Sequence, residues 1–200
     1  RTGYQDIYLQ RVLGTGAIAG GWPAGGKKMN VGEIDSYAIR ADGTGGALVG
    51  WLDLNKQGWL LRVNNAGNPA VGWPATGIPV GPAAASSIDF TPDGTGGFYA
   101  AWASTDSILC TRYAANGTVA SGWSSDGATA TAGGFFTGDV ALARLTSGDL
   151  MVGWTDYRNL DVDLFAVRMA AGGGFASGWA LNGVALCTAL DGPGYPKAVS

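Results

Sequence analysis

Short apolar runs separated by glycine-rich polar clusters recur along the whole chain, and no stretch of useful length keeps the 3.6-residue period of an amphipathic helix. Residues 35–80 show the pattern most clearly. Asp35 to Arg40 reads as a first strand, A, followed by a tight turn at Asp42-Gly43-Thr44-Gly45-Gly46, whose glycines can take positive φ. Ala47 to Asp53 reads as strand B, apolar on both faces and therefore suited to packing between two neighbouring sheets. Gly58 to Val63 is strand C, Asn64-Asn65-Ala66-Gly67 a turn, and Val71 to Val80 a strand D that Pro74 places at a sheet edge. The pattern recurs as Ser87 to Thr91, Phe98 to Ser104, Ile108 to Tyr113 and a strand at Trp123. It recurs again as Asp139 to Arg144, Asp149 to Asp156, Leu164 to Met169 and a strand at Trp179.

Three residue series keep the same clock. Gly-Trp pairs end at Trp22, Trp73, Trp123 and Trp179, with steps of 51, 50 and 56 residues. Arg11, Arg62, Arg112 and Arg168 repeat those steps, and Trp51, Trp102 and Trp154 are separated by 51 and 52. The longer step comes from an inserted loop, Asp156 to Asp163. Four short strands in about fifty residues is the size of one four-stranded antiparallel blade, so the expected fold class is an all-β β-propeller with about four repeats. A β-helical solenoid is the competing repeat architecture, but its coils are shorter and its strands parallel. The expected units are strands C and D of a partial blade at 1–33, blades at 34–83, 84–134 and 135–190, and strand A of a further blade at 191–200. On this alignment Arg1 to Asp6 matches Arg158 to Asp163, and the two ends together make one blade lacking strand B. The expectation is a piece of a larger propeller or array, completed by other propeller segments or by copies of the same chain.

Composition narrows the chemistry. Of 200 residues, 35 are glycine, 46% are hydrophobic and 14% charged, which suits a turn-rich chain with a large core and argues against disorder. The net charge of −3 offers no basic stripe for a nucleic-acid partner, and no apolar run reaches the length of a membrane-crossing helix. Histidine is absent, which removes Ser-His-Asp and Cys-His catalysis and histidine-ligated zinc. Cys110 and Cys187 are the only cysteines and fall at unlike positions of the repeat, so they read as small hydrophobes more readily than as a bridge.

The consensus Asp-Gly-Thr-Gly-Gly, then Trp-x-Asp, then Asp-Ile-Tyr-x-x-Arg-Val and Gly-Trp resembles the repeats of secreted bacterial β-propeller proteins. The resemblance covers the whole chain, with its best instances at Asp42 to Asp53, Trp154 to Arg158 and Asp163 to Met169. It implies an extracellular or cell-surface location and no cofactor. The Gly-His pair of WD40 units is missing, kelch units place their Gly-Gly on the other side of the hydrophobic strand, and sialidase-type Asp boxes are only echoed at Asp93 to Gly96.

Candidate site residues follow from what the repeat leaves over. The arginine series reads as one structural task per blade, such as bridging Asp53 or Asp156 or capping carbonyls. Trp51, Trp102 and Trp154 read as core. Regular placement favours packing between blades for Trp22, Trp73, Trp123 and Trp179 too, but their expected edge strand also makes them candidate sugar-stacking platforms, and Trp59 joins them because no other unit has a tryptophan there. Asp156, Asp161 and Asp163 are candidate oxygen ligands for calcium, although the loop lacks EF-hand spacing. The expected function is a non-catalytic secreted or cell-surface scaffold for adhesion, assembly or protein interaction. A glycan-binding propeller is the alternative. A polysaccharide-acting hydrolase or lyase, with Asp156, Asp161 and Tyr157 as its cluster, ranks below both.

Overall fold

The computed structural model of the chain describes residues 6–29, 32–82, 84–133, 136–158 and 161–188. They form β1 (Tyr8–Leu9), β2 (Lys27–Lys28), β3 (Ile34–Ala41), β4 (Ala47–Asp53), β5 (Gly58–Val63), β6 (Ile78–Val80) and β7 (Ser87–Pro92). The remaining strands are β8 (Phe98–Ala103), β9 (Ser107–Tyr113), β10 (Ala128–Ala132), β11 (Phe136–Arg144), β12 (Leu150–Asp156), β13 (Asp163–Met169) and β14 (Val184–Cys187). Within each sheet successive strands pair antiparallel, giving a two-stranded sheet, β1-β2, and three four-stranded meanders, β3 to β6, β7 to β10 and β11 to β14. No helix occurs among the described residues. The chain is all-β, as the alternation predicts. The expected strand A at 191–200 and the expected match of residues 1–5 lie outside the described residues.

The first three strands of each meander stand where the pattern places them, but strand D does not. The expected strand over Val71 to Val80 pairs only at Ile78–Val80. Before it, the Trp73 amide donates to the Ala70 carbonyl and the Gly77 amide to the Pro74 carbonyl, closing two consecutive tight turns. Pro74 has no N–H to give a ladder, and Gly77 at φ 77° takes the left-handed conformation that ends the second turn. The other units repeat this, with Gly26 bonded to Pro23, Gly127 to Ser124 and Gly183 to Ala180. The Gly-Trp tryptophans therefore sit in a double turn ahead of the edge strand.

Strand B is an inner strand of each meander, buried on both faces in β4 and β8. In β8 all six residues are buried. Phe98, Ala100 and Trp102 join a core with Leu48, Trp51, Leu60 and Val80 of the preceding meander. Tyr99, Ala101 and Ala103 join a second core with Leu150, Val152, Trp154 and Val167 of the following one. The two-residue period of the strand thus sends alternate side chains into two different inter-sheet cores. Met29, beside β2, and Ile7, beside β1, belong to the first of them, which extends the stacking to the two-stranded sheet.

Candidate functional site

The A-B turn shows what the repeated polar residues do. Asp42 Oδ1 accepts the amides of Thr44 and Gly46, and Oδ2 accepts the Thr44 hydroxyl and the Arg62 Nε–H. Asp93 accepts from Thr95, Gly97 and Arg112 in the same way. Burial alone pushes both carboxyls up, but the surrounding donors outweigh it and hold each below the usual carboxylate range. The third turn, Leu145 to Asp149, lacks an aspartate at its first position and carries one at its last. Asp149 still reaches Arg168, with 2.7 Å from Nε to Oδ2. Arg62, Arg112 and Arg168 therefore pair with the aspartate of their own A-B turn, and not with Asp53 or Asp156, one of the two tasks the sequence suggested. Asp53 caps its own loop by accepting the amides of Asn55 and Gln57.

Arg11, Arg62 and Arg112 also reach forward to the next sheet. Arg11 Nη1 donates to the Asn65 carbonyl, Arg62 Nη1 to those of Gly96 and Ala115, and Arg112 Nη1 to that of Ala171. Three of the four Gly-Trp tryptophans do the same. Trp22 Nε1 donates to the Asn65 carbonyl, Trp73 to Ala115 and Trp123 to Ala171, at 3.2, 2.9 and 3.1 Å. Asn65, Ala115 and Ala171 hold one position, the second residue of the C-D turn. Every junction is thus an Arg-Trp pair on one sheet clamped to a turn carbonyl of the next, and Trp22, Trp73 and Trp123 are committed to it. Trp179 is half-buried against the last sheet, and no acceptor for its indole N–H lies among the described residues. Trp59 stacks on Trp51 at 6.3 Å with 12° between planes and donates to Asp53 Oδ2. The ring series reads as packing at these positions, because the edge-strand placement that made the rings candidate platforms is replaced by a turn between sheets.

The inserted loop does not gather its carboxylates. Asp156 and Asp163 face each other across β12 and β13. Asp156 is buried and accepts from the Trp154 indole at 3.0 Å and the Arg158 guanidinium, and these donors hold it below the usual range against the upward push of burial. The Asp161 carboxylate accepts the Val162 amide. Among the described residues no three such groups meet closely enough to hold a metal ion. Asn159 and Leu160 lie outside the described residues. Cys110 and Cys187 are free thiols, and burial pushes the Cys110 thiol up to about 12.

One open cleft, of about 320 Å³, lies between β3 and β7, lined by Asp35, Ser36, Tyr37, Ser86, Ser87, Phe90 and Asp139 among others. Tyr37 is 66% exposed at its edge. Asp35 pairs with Lys56 at 2.8 Å, and burial alone raises the Asp139 carboxyl. Below the cleft, Asp89 ties three sheets together. It accepts from Arg40 of β3 and from the Leu142 amide of β11, both at 2.9 Å, and burial outweighs these donors and raises its carboxyl. Sequence reasoning missed Asp89, whose signal was a charged residue in mid-strand where the other units have Ala38 and Ala141. The cleft mixes hydroxyls, carboxylates and an aromatic rim, which is the donor set for a neutral polyol rather than for an anion. The chain matches no protein-family model and no curated protein.

Proposed function

We propose that the three meanders and the two-stranded sheet are successive blades of a β-propeller, and that the chain is a non-catalytic scaffold module of a secreted or cell-surface bacterial protein. The observation that supports this is the junction itself. The repeated Asp, Arg and Gly-Trp residues are consumed in joining one sheet to the next, so the chemically conspicuous side chains serve assembly. Among the described residues Asp156, the most plausible acid of the inserted loop, is sealed by Arg158 and Trp154. Incubation of the purified chain with a panel of polysaccharides and esters is the test: no turnover is expected, and release of product would overturn the scaffold reading.

The β3-β7 cleft supports a second reading, a glycan-binding propeller. Its platform is then Tyr37 with Asp35 and Asp139, and not the Gly-Trp series. Glycan-array binding that survives Trp123→Phe and disappears with Tyr37→Ala is the expected pattern. Loss of binding with Trp123→Phe alone would return the platform to the Gly-Trp series.

A further inference from the structure

The junction has two halves, and the described residues at the two ends of the array present one half each. At the start of the array is a seat without an occupant. The turn glycines Gly67 and Gly117 lie beneath the indoles of Trp22 and Trp73, so close that a Cβ at Gly67 would stand 2.5 Å from the Trp22 ring. Gly173, their counterpart in the third meander, meets the Gly122 backbone of the preceding one. Gly16 holds the same place in the first turn, with a φ of 84° that is positive as at its counterparts, and a Cβ there would meet nothing within 4 Å. Its turn is built like the others, with the Gly16 amide donating to the Leu13 carbonyl at 2.9 Å as Gly67 does to Asn64.

At the other end is the donor without a seat. Arg168 and Trp179 hold the positions of Arg112 and Trp123, yet neither Arg168 Nη1 nor Trp179 Nε1 reaches a turn carbonyl among the described residues. The apolar surface beside them is open as well. Met29, Val80 and Ala130 occupy one position of strand D and are buried where another sheet follows, whereas Leu186 at that position is 63% exposed. Tyr99 and Ala101 of β8 are fully buried under the next sheet, while their counterparts Met151 and Gly153 of β12 are only half-buried.

We propose that the outer face of the last meander is an association surface whose occupant is the two-stranded sheet of a second copy of this chain, joined head to tail. Trp179 and Arg168 of one copy donate to the Gly14 carbonyl of the next, which holds the position of Asn65, Ala115 and Ala171, and the Trp179 indole settles over Gly16. This rests on the scaffold reading and names its partner. The contact is heterologous, so each copy keeps one free donor face and one free seat and the assembly grows until a ring closes.

Sedimentation of the whole chain across a concentration series, with two variants, tests it. Trp179→Ala removes the donor. Gly16→Asn fills the seat with a residue that tolerates the left-handed conformation and whose Cβ meets nothing within 4 Å in the isolated chain. The chain itself is expected to associate, and each variant alone to weaken association about thirtyfold, the scale of an interface hot spot. An equimolar mixture of the two variants is expected to give a heterodimer that grows no further, because Gly16→Asn retains its donor face and Trp179→Ala retains its seat. That recovery also shows that both variants fold. Val71→Ala, at a fully exposed position away from either half, is expected to associate as the parent does. A parent chain that stays monomeric, variants that associate as the parent does, or a mixture that recovers nothing would each overturn the head-to-tail contact. None of these outcomes touches the scaffold reading, which stands or falls on turnover.

Discussion

Arg112 gives the sharpest measure of what a junction contributes. Its guanidinium donates to Asp93 at 2.9 and 2.7 Å, to the Thr95 hydroxyl at 3.0 Å and to the Ala171 carbonyl at 3.1 Å, and it lies over the Tyr99 ring at 5.5 Å. Its side chain is 22% exposed and that of Asp93 2%, so the pair sits between the surface and the buried limits. Breaking a fully buried pair costs about 3–5 kcal/mol, and an exposed one contributes about 0–1. Asp93 would keep the Thr95 and Gly97 donors after Arg112→Ala, so its charge is not left bare, and the expected loss is about 2–3 kcal/mol. For a domain of this size that is roughly 5–10 °C in Tm. Arg168 is the internal control. Its side chain is 36% exposed and Asp149 16%, and it makes no forward contact among the described residues, so Arg168→Ala is expected to cost about 1 kcal/mol or less. Urea unfolding of the two variants, with an Arg112/Asp93 double-mutant cycle, decides between them. Equal losses at Arg112 and Arg168 would refute the argument that the forward reach stabilises, and a coupling energy near zero in the cycle would refute the contribution assigned to the Asp93 pair.

Other expectations follow from the same contacts. Asp42, Asp93 and Asp156 have folded-state carboxyls held below their unfolded values, so their contribution is present above the usual carboxylate range and is lost as pH falls from that range through the lower folded-state values; an acid titration of stability should flatten in Asp93→Asn. Asp139 has the opposite sign, since burial raises it and its charged form is disfavoured in the folded chain; Asp139→Asn is expected to raise the unfolding midpoint at neutral pH and to leave it unchanged well below pH 4. Trp73→Phe keeps the ring but removes the donor to Ala115, at an expected cost of about 1 kcal/mol, against about 3–5 for Trp73→Ala, both read by chemical unfolding. Burial and a thiol pushed up to about 12 should keep Cys110 unreactive toward a disulfide reagent in the folded chain, with Cys187 labelled first and Cys110 only on unfolding.

The sheets were legible because their signals are local and repeated. Strands B and C carry unbroken apolar runs bounded by Asp-Gly-Thr-Gly-Gly and Asn-Asn-Ala-Gly turns, and β4 and β5 span the residues those signals bracket. Strand D was overextended because Gly-Trp-Pro reads as an apolar run with one breaker, whereas each of its residues serves a turn. The partners of the arginines were legible only as a class. Nothing in the spacing distinguishes Asp42 from Asp53 as the acceptor for Arg62, since both lie within reach of β5 along the chain, and only the register of β4 on β5 puts Leu48, at the turn end, opposite Arg62. The forward contacts to Asn65, Ala115 and Ala171 end on backbone carbonyls, which carry no residue signature at all. Asn65, Ala115 and Ala171 differ in side chain because the side chain is not what is recognised.

That last point bears on where function can reside in such a chain. A junction read through backbone carbonyls tolerates change at the turn residues, so one clamp can be copied along an array while the surrounding sequence drifts. The Asp149 turn shows the tolerance directly: the carboxylate moves from the first to the last position of the loop and still meets its arginine. Selection for assembly then constrains few side chains, chiefly Arg, Trp and the turn Asp. Departures from the repeat carry the individual character of the chain. Asp89 ties three sheets where its counterparts are alanines, Trp59 adds a ring to Trp51, and the β3-β7 cleft brings Asp35 and Asp139 to an exposed tyrosine. None of the last three residues belongs to the clamp, so Tyr37→Ala and Asp139→Asn can alter binding there without loosening a junction. Arg112→Ala should do the reverse, weakening the stack of sheets while leaving any ligand affinity of the cleft unchanged once stability is accounted for.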